Sequence, residues 1–114
     1  MGKMSREKGK VGEREVANIL KERGYDAKRG VQYHGGPDSP DVVGLPGIHL
    51  EVKRTEKCHP YDYLKQAAED SGEDEIPLVV HRQSRKPWIA IMSFEDFLDL
   101  YEKAGVVERQ TPET

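Results

Sequence analysis

The chain has 114 residues, 34% of them charged and 35% hydrophobic, with a formal net charge of −3. That length suits one domain, residues 1–114, with one core and flexible tails at about 1–7 and 108–114. No apolar run approaches the ~20 residues of a membrane span, and the single cysteine, Cys58, excludes an internal disulfide.

No apolar stretch follows Met1-Gly2-Lys3, so no secretory signal is expected and the cytoplasm is the predicted compartment. Charge is unevenly divided. Residues 1–59 carry 12 Lys/Arg against 9 Asp/Glu, whereas residues 60–114 carry 6 against 12. A protein that grips phosphates with one face has this kind of asymmetry.

From about Glu7 to Arg23 the chain predicts an amphipathic helix whose stripe is Val16, Ala17, Ile19 and Leu20, ended by Gly24. At ~100° per residue, Glu13 falls within ~40° of the stripe's centre, with Glu15 about 120° away. A carboxylate facing the interior needs a partner: a metal, a water held by one, or a buried cation.

Tyr25 to about Val31 reads as a first strand, and Gln32–Pro40, with Gly35-Gly36-Pro37, as a loop. Asp41–Leu45 and Ile48–Arg54 are predicted strands joined by the Pro46-Gly47 turn. A second helix covers about Pro60–Asp70, followed by an exposed acidic loop to Glu75. Pro77–Arg82 and Pro87–Met92 read as two further strands around Gln83–Lys86. Ser93 then caps a last helix with Phe94, Phe97, Leu98 and Tyr101 on its apolar side, ended by Gly105. Those aromatics suit a core or a dimer surface, and Trp88 a core position. A helix between the third and fourth strands implies a parallel crossover. The fold class is therefore α/β, a central mixed β-sheet flanked by helices.

The chemistry concentrates in Pro40-Asp41-Val42-Val43 and Ile48-His49-Leu50-Glu51-Val52-Lys53-Arg54. Strand side chains alternate, so Ile48, Leu50 and Val52 share one face while His49, Glu51 and Lys53 share the other. Two carboxylates and an amine at a sheet edge can hold a divalent cation and position a water, the equipment for hydrolysing a phosphodiester. Oxygen ligands suit Mg²⁺, with Mn²⁺ substituting, rather than zinc. Cys58, His59, His34 and His49 lack zinc-site spacing. Lys8, Lys10, Arg14, Lys28, Arg29 and Arg54 are candidates for phosphate contacts, which position rather than specify.

The runs Lys8-Gly9-Lys10-Val11-Gly12-Glu13-Arg14-Glu15-Val16, Lys21-Glu22-Arg23-Gly24-Tyr25, Pro40-Asp41-Val42-Val43 and Leu50-Glu51-Val52-Lys53 resemble the archaeal-type Holliday-junction resolvases. These belong to the PD-(D/E)xK nuclease superfamily. The resemblance covers about residues 8–92 and implies a restriction-endonuclease-like core, αβββαβ, here with an added strand and a C-terminal helix. It makes Glu13, Asp41 and Glu51 metal ligands, with the backbone carbonyl of Val52 a further one, and gives Lys53 the task of orienting water or stabilising charge on the phosphate. Gln66 matches a glutamine often found near the site in this group. The family's loop serine has no plain equivalent; Tyr33, His34 or Ser39 would substitute. The short chain resembles compact phage or bacterial versions, which for a phage protein means the host cytoplasm.

The resemblance implies a magnesium-dependent endodeoxyribonuclease that resolves four-way junctions by paired nicks, as a homodimer on branched or double-stranded DNA, with no membrane partner. A flap, fork or general DNA nuclease keeps the fold and changes the substrate. A catalytically silent nucleic-acid-binding module is the reading that net acidity favours.

Overall fold

The computed structural model describes residues 3–30 and 40–105, with side chains described from Lys8 onward. The first helix, α1, spans Lys3–Glu22. It starts before the predicted Glu7, so residues 3–7, expected in a tail, form its first turns. Its sheet-facing stripe is Gly12, Val16 and Ala17, with Leu20 packed beside them. Ile19, expected in that stripe, is 40% exposed. Gly12 is the position the apolar pattern overlooks. A Cβ there would lie 3.2 Å from the Arg54 Cβ and 3.4 Å from Val52, so the missing side chain lets α1 lie close on the sheet. The helix ends in a Schellman motif: Gly24, at φ 98°, donates to the Lys21 carbonyl while Tyr25 donates to that of Leu20.

Five strands follow in spatial order β1-β2-β3-β4-β5: Lys28–Arg29, Val42–Val43, Ile48–Arg54, Ile76–Arg82 and Ile89–Ile91. β1, β2 and β5 are shorter than predicted, because few of their neighbours continue the ladder. The pairings β1–β2, β2–β3 and β4–β5 are antiparallel, and β3–β4 is parallel, with Glu51 opposite Val79 and Lys53 opposite His81. The parallel pair is bridged by α2, Pro60–Asp70, with proline in its first turn and Ser71 closing its end through a bond to the Ala67 carbonyl. The mixed, helix-covered sheet is the α/β fold expected.

β3 is the centre of the molecule and is covered on both faces. Leu50 and Val52 lie under α1 with Val16, Ala17, Ala27 and Val42, and Trp88 packs against this cluster. The opposite face carries His49, Glu51, Val79 and His81, all buried, on the side of α2 and its buried Ala67. One side of the strand is therefore a hydrocarbon core and the other a buried polar layer. Buried polar groups cost free energy unless each finds a partner. His81 bonds the carbonyl and hydroxyl of Thr55.

The last helix, α3, spans Phe94–Lys103, and the Ser93 side chain accepts from the Asp96 N–H as its cap. None of its residues is buried, and Phe94, Phe97, Leu98 and Tyr101 are exposed, so it adds nothing to the core of the single chain. Among the described residues no helix is long and apolar enough to cross a membrane.

Candidate metal-dependent nuclease site

Asp41 stands immediately before β2, and its backbone N–H donates to the Leu50 carbonyl as the last rung of the β2–β3 ladder. Its side chain then replaces the next rung, because Oδ2 accepts from the Val52 N–H at 2.8 Å. A carboxylate thus sits where the strand pairing stops, fixed against the middle of β3. Burial, and after it the nearby Glu51 charge, push the Asp41 carboxyl up to about 6, against the Val52 N–H and the Lys53 ammonium. Two like charges held in a desolvated place raise each other's cost of ionisation.

Glu13 projects from α1 into the same neighbourhood. Burial raises its pKa and the Asp41 charge adds to the rise, while the Arg29 hydrogen bond opposes it. Its Oε1 accepts from Arg29 Nε at 2.9 Å, so the cation that the interior-facing carboxylate demands is supplied by β1. Lys53 lies on the Glu51 face of β3. Its ammonium donates to Gln66 Oε1 at 3.2 Å and stands 5.3 Å from the centre of the Tyr63 ring, both on α2. The Tyr63 hydroxyl is anchored by Thr55 and by the Lys57 carbonyl, and its ring stacks on His81.

The structure brings Asp41, Glu51 and Lys53 together at the β2–β3 edge, with Glu13 close enough to feel the Asp41 charge and Gln66 bonded to Lys53. The three acids do not converge into a finished cage. Among the described residues, the grouping whose potential ligand atoms all lie within 4.8 Å of one another is His49, Glu51 and Asp70. Tyr33, His34 and Ser39, the alternatives for the missing serine, lie outside the described residues. The donor chemistry fits a hard divalent cation: Asp41 and Glu51 are two mutually repelling, largely buried oxygen donors, and a 2+ ion between them would offset that repulsion.

The basic residues divide into two sets. Arg14, Lys28 and Arg29 line one groove of about 470 Å³, joined by Lys21, which the sequence pattern does not single out. Lys8 and Arg54 instead gather around Glu56, at 3.5 and 3.6 Å. Lys10 is exposed on α1 near Glu13. Three other partnerships were missed. Glu15 accepts from Arg82 at 2.8 Å and from the Trp88 indole at 3.2 Å. Tyr63 flanks Lys53, and its place three residues before Gln66 on one helix face was the available signal. His49 Nε2 is hydrogen-bonded to Glu51 Oε2, and its signal was the two-residue strand spacing.

The family model for the archaeal Holliday junction resolvase Hjc matches residues 4–91. The chain belongs to the Hjc family. That family fits the PD-(D/E)xK superfamily, and membership implies a nuclease. A solved structure at 1.6 Å, of Archaeoglobus fulgidus Hjc, a Holliday junction resolvase from an archaeal hyperthermophile, is similar in fold. It shares 24% identity, over 75% of this chain and 72% of that one, with a TM-score of 0.54. Among curated proteins, none matches the chain. The Hjc match stops at residue 91, so α3 lies wholly beyond it.

Proposed function

We propose that this Hjc-family chain is a divalent-metal-dependent endonuclease that resolves four-way DNA junctions by paired nicks. The observation that carries the proposal is the Asp41 carboxylate, fixed by the Val52 N–H at the β2–β3 edge beside the Glu51 charge and Lys53, inside the Hjc match.

In this reading Asp41, Glu51 and the Val52 carbonyl would hold Mg²⁺ or Mn²⁺, with Glu13 as the further ligand. Such an ion, when bound, would supply a lowered pKa for water and a counter-charge to the phosphate. Asp41 is oriented for this by the Val52 N–H, which fixes one of its oxygens. Lys53, steered by Gln66 and the Tyr63 ring, presents its ammonium to the water and to the charge growing on the scissile phosphate. Arg14, Lys21, Lys28 and Arg29 hold the backbone of the DNA in their groove. A two-fold homodimer places two such sites on opposed strands, which is the geometry that paired nicks require.

The test is cleavage of a labelled four-way junction beside duplex, single-strand, flap and fork DNA, in Mg²⁺, Mn²⁺, Ca²⁺ and EDTA. Symmetric nicks on the junction, in Mg²⁺ or Mn²⁺ alone, are expected. Cutting spread over every substrate would remove the junction from the proposal, and binding without cutting in any metal would remove the enzyme.

A further inference from the structure

His49 is fully buried on the polar face of β3, two residues before Glu51. Its Nε2 lies 2.7 Å from Glu51 Oε2. In the Nε2–H tautomer the imidazole donates this bond to the carboxylate. The ring's other nitrogen, Nδ1, has no hydrogen-bond partner among the described residues and faces Glu75 Oε1 at 3.5 Å. That oxygen is itself held, accepting from the Gly72 N–H at 2.8 Å in the turn after α2. A file of groups therefore runs inward from the acidic loop: Gly72, Glu75, His49, Glu51.

We infer that His49 is a positioning residue for the metal site: it fixes one oxygen of Glu51 and leaves the other to the cation beside Asp41. The inference rests on Glu51 being a metal ligand, as proposed above. Three observations favour positioning over packing. A fully buried imidazole occupies a place an aliphatic side chain would fill with no polar group to satisfy. Its bond ends on the one carboxylate of β3, whose charge lies close enough to raise the Asp41 pKa. And Glu51, at 5% exposure, has little solvent to hold its carboxylate in one rotamer. Without the imidazole, Glu51 would lose the bond that orients its carboxylate. Hydrogen-bond partners of metal-ligating groups act in this way on affinity.

The experiment is Mn²⁺ binding by calorimetry, without DNA, on wild type, His49→Leu, His49→Gln, Glu75→Gln and Asp41→Asn, with thermal melting of each. Glutamine can place an N–H near the Nε2 position, whereas leucine cannot. His49→Leu is expected to weaken Mn²⁺ binding at least ~10-fold. His49→Gln should restore most of that loss, and Glu75→Gln, which is part exposed and spares the buried layer, should produce a smaller weakening. The same order is expected in the Mn²⁺ concentration that half-saturates cleavage, with little change in KM for DNA. If His49→Leu does not fold, Glu75→Gln carries the test. Mn²⁺ affinity equal to wild type in folded His49→Leu, or in Glu75→Gln where His49→Leu does not fold, would overturn the inference. So would loss of one of two bound ions with the other untouched, since His49 would then be a ligand itself. Wild type that binds no Mn²⁺, or binding that Asp41→Asn leaves intact, would instead sink the metal-site proposal beneath it.

Discussion

Asp41 carries a folding cost that its proposed task explains. With its carboxyl pushed up to about 6, chiefly by burial and then by Glu51, the folded chain binds a proton more tightly than the unfolded one, whose aspartate titrates near 3.8. Below about 4 both states hold the proton and the shift has no effect. Above about 6 both are ionised and the penalty is fully present. Metal-free protein should therefore grow more stable as pH falls from 7 towards 5, the reverse of a salt-bridged aspartate. Asp41→Asn keeps an acceptor for the Val52 N–H and removes the charge. It should stabilise the metal-free chain at pH 7 by roughly 1–3 kcal/mol, at ~1.4 kcal/mol per pKa unit. Urea unfolding in EDTA at pH 5 and pH 7 would measure both effects, and added Mg²⁺ should erase the gain. A mutant less stable than wild type at pH 7 would contradict this reading. The candidate site stands out in the sequence because Asp41 opens one apolar strand while Glu51 and Lys53 interrupt another, where a charge needs a reason. Arg29 as the Glu13 partner was not legible, since the two lie 16 residues apart on different elements and only the tertiary fold joins them.

At the scale of elements, periodicity was readable where an element was long and half-buried. β3 and β4 were predicted nearly to their ends, α2 to its bounds, and the Ser93 cap of α3 as it stands. β1 and β2 came out at two residues each, because pairing to short neighbours sets their length and local propensity does not report it. The attachment of α1 was also hidden. Glu15, which lies off the apolar stripe, joins α1 to β4 through Arg82 and to the start of β5 through Trp88. These are charge-assisted bonds in a partly exposed place. Glu15→Ala should lower stability by about 1–2 kcal/mol, seen as an earlier urea midpoint with an unchanged slope, and should leave Mn²⁺ binding intact. A matching drop in metal affinity would mean that α1 and the site are not separable in this way.

For the whole molecule, the uneven charge of the two halves becomes a spatial division. Arg14, Lys21, Lys28 and Arg29 surround one groove, while Glu73, Asp74, Glu75, Asp96, Asp99 and Glu102 line an acidic cleft between the loop after α2 and α3. DNA approaching the proposed metal site would be drawn to the first and repelled by the second. Lys21→Ala and Lys28→Ala should each weaken junction binding and lower the salt dependence of log K by roughly 0.9 for every phosphate no longer neutralised. Alanine at Lys8, which pairs with Glu56 away from that groove, should change neither. The net charge of −3 hides this division, because it sums two surfaces of opposite sign.

Cleavage set against binding for a single substitution decides whether the Asp41–Glu51 pair does the chemistry. Wild type and Asp41→Asn would be compared on the same labelled four-way junction, with rates in Mg²⁺ and dissociation constants in Ca²⁺. Wild type should make paired nicks, and the mutant should lose at least ~10²-fold in rate while its junction affinity stays unchanged or tightens. Equal rates for the two proteins would show that cleavage, if present, does not use the Asp41–Glu51 site.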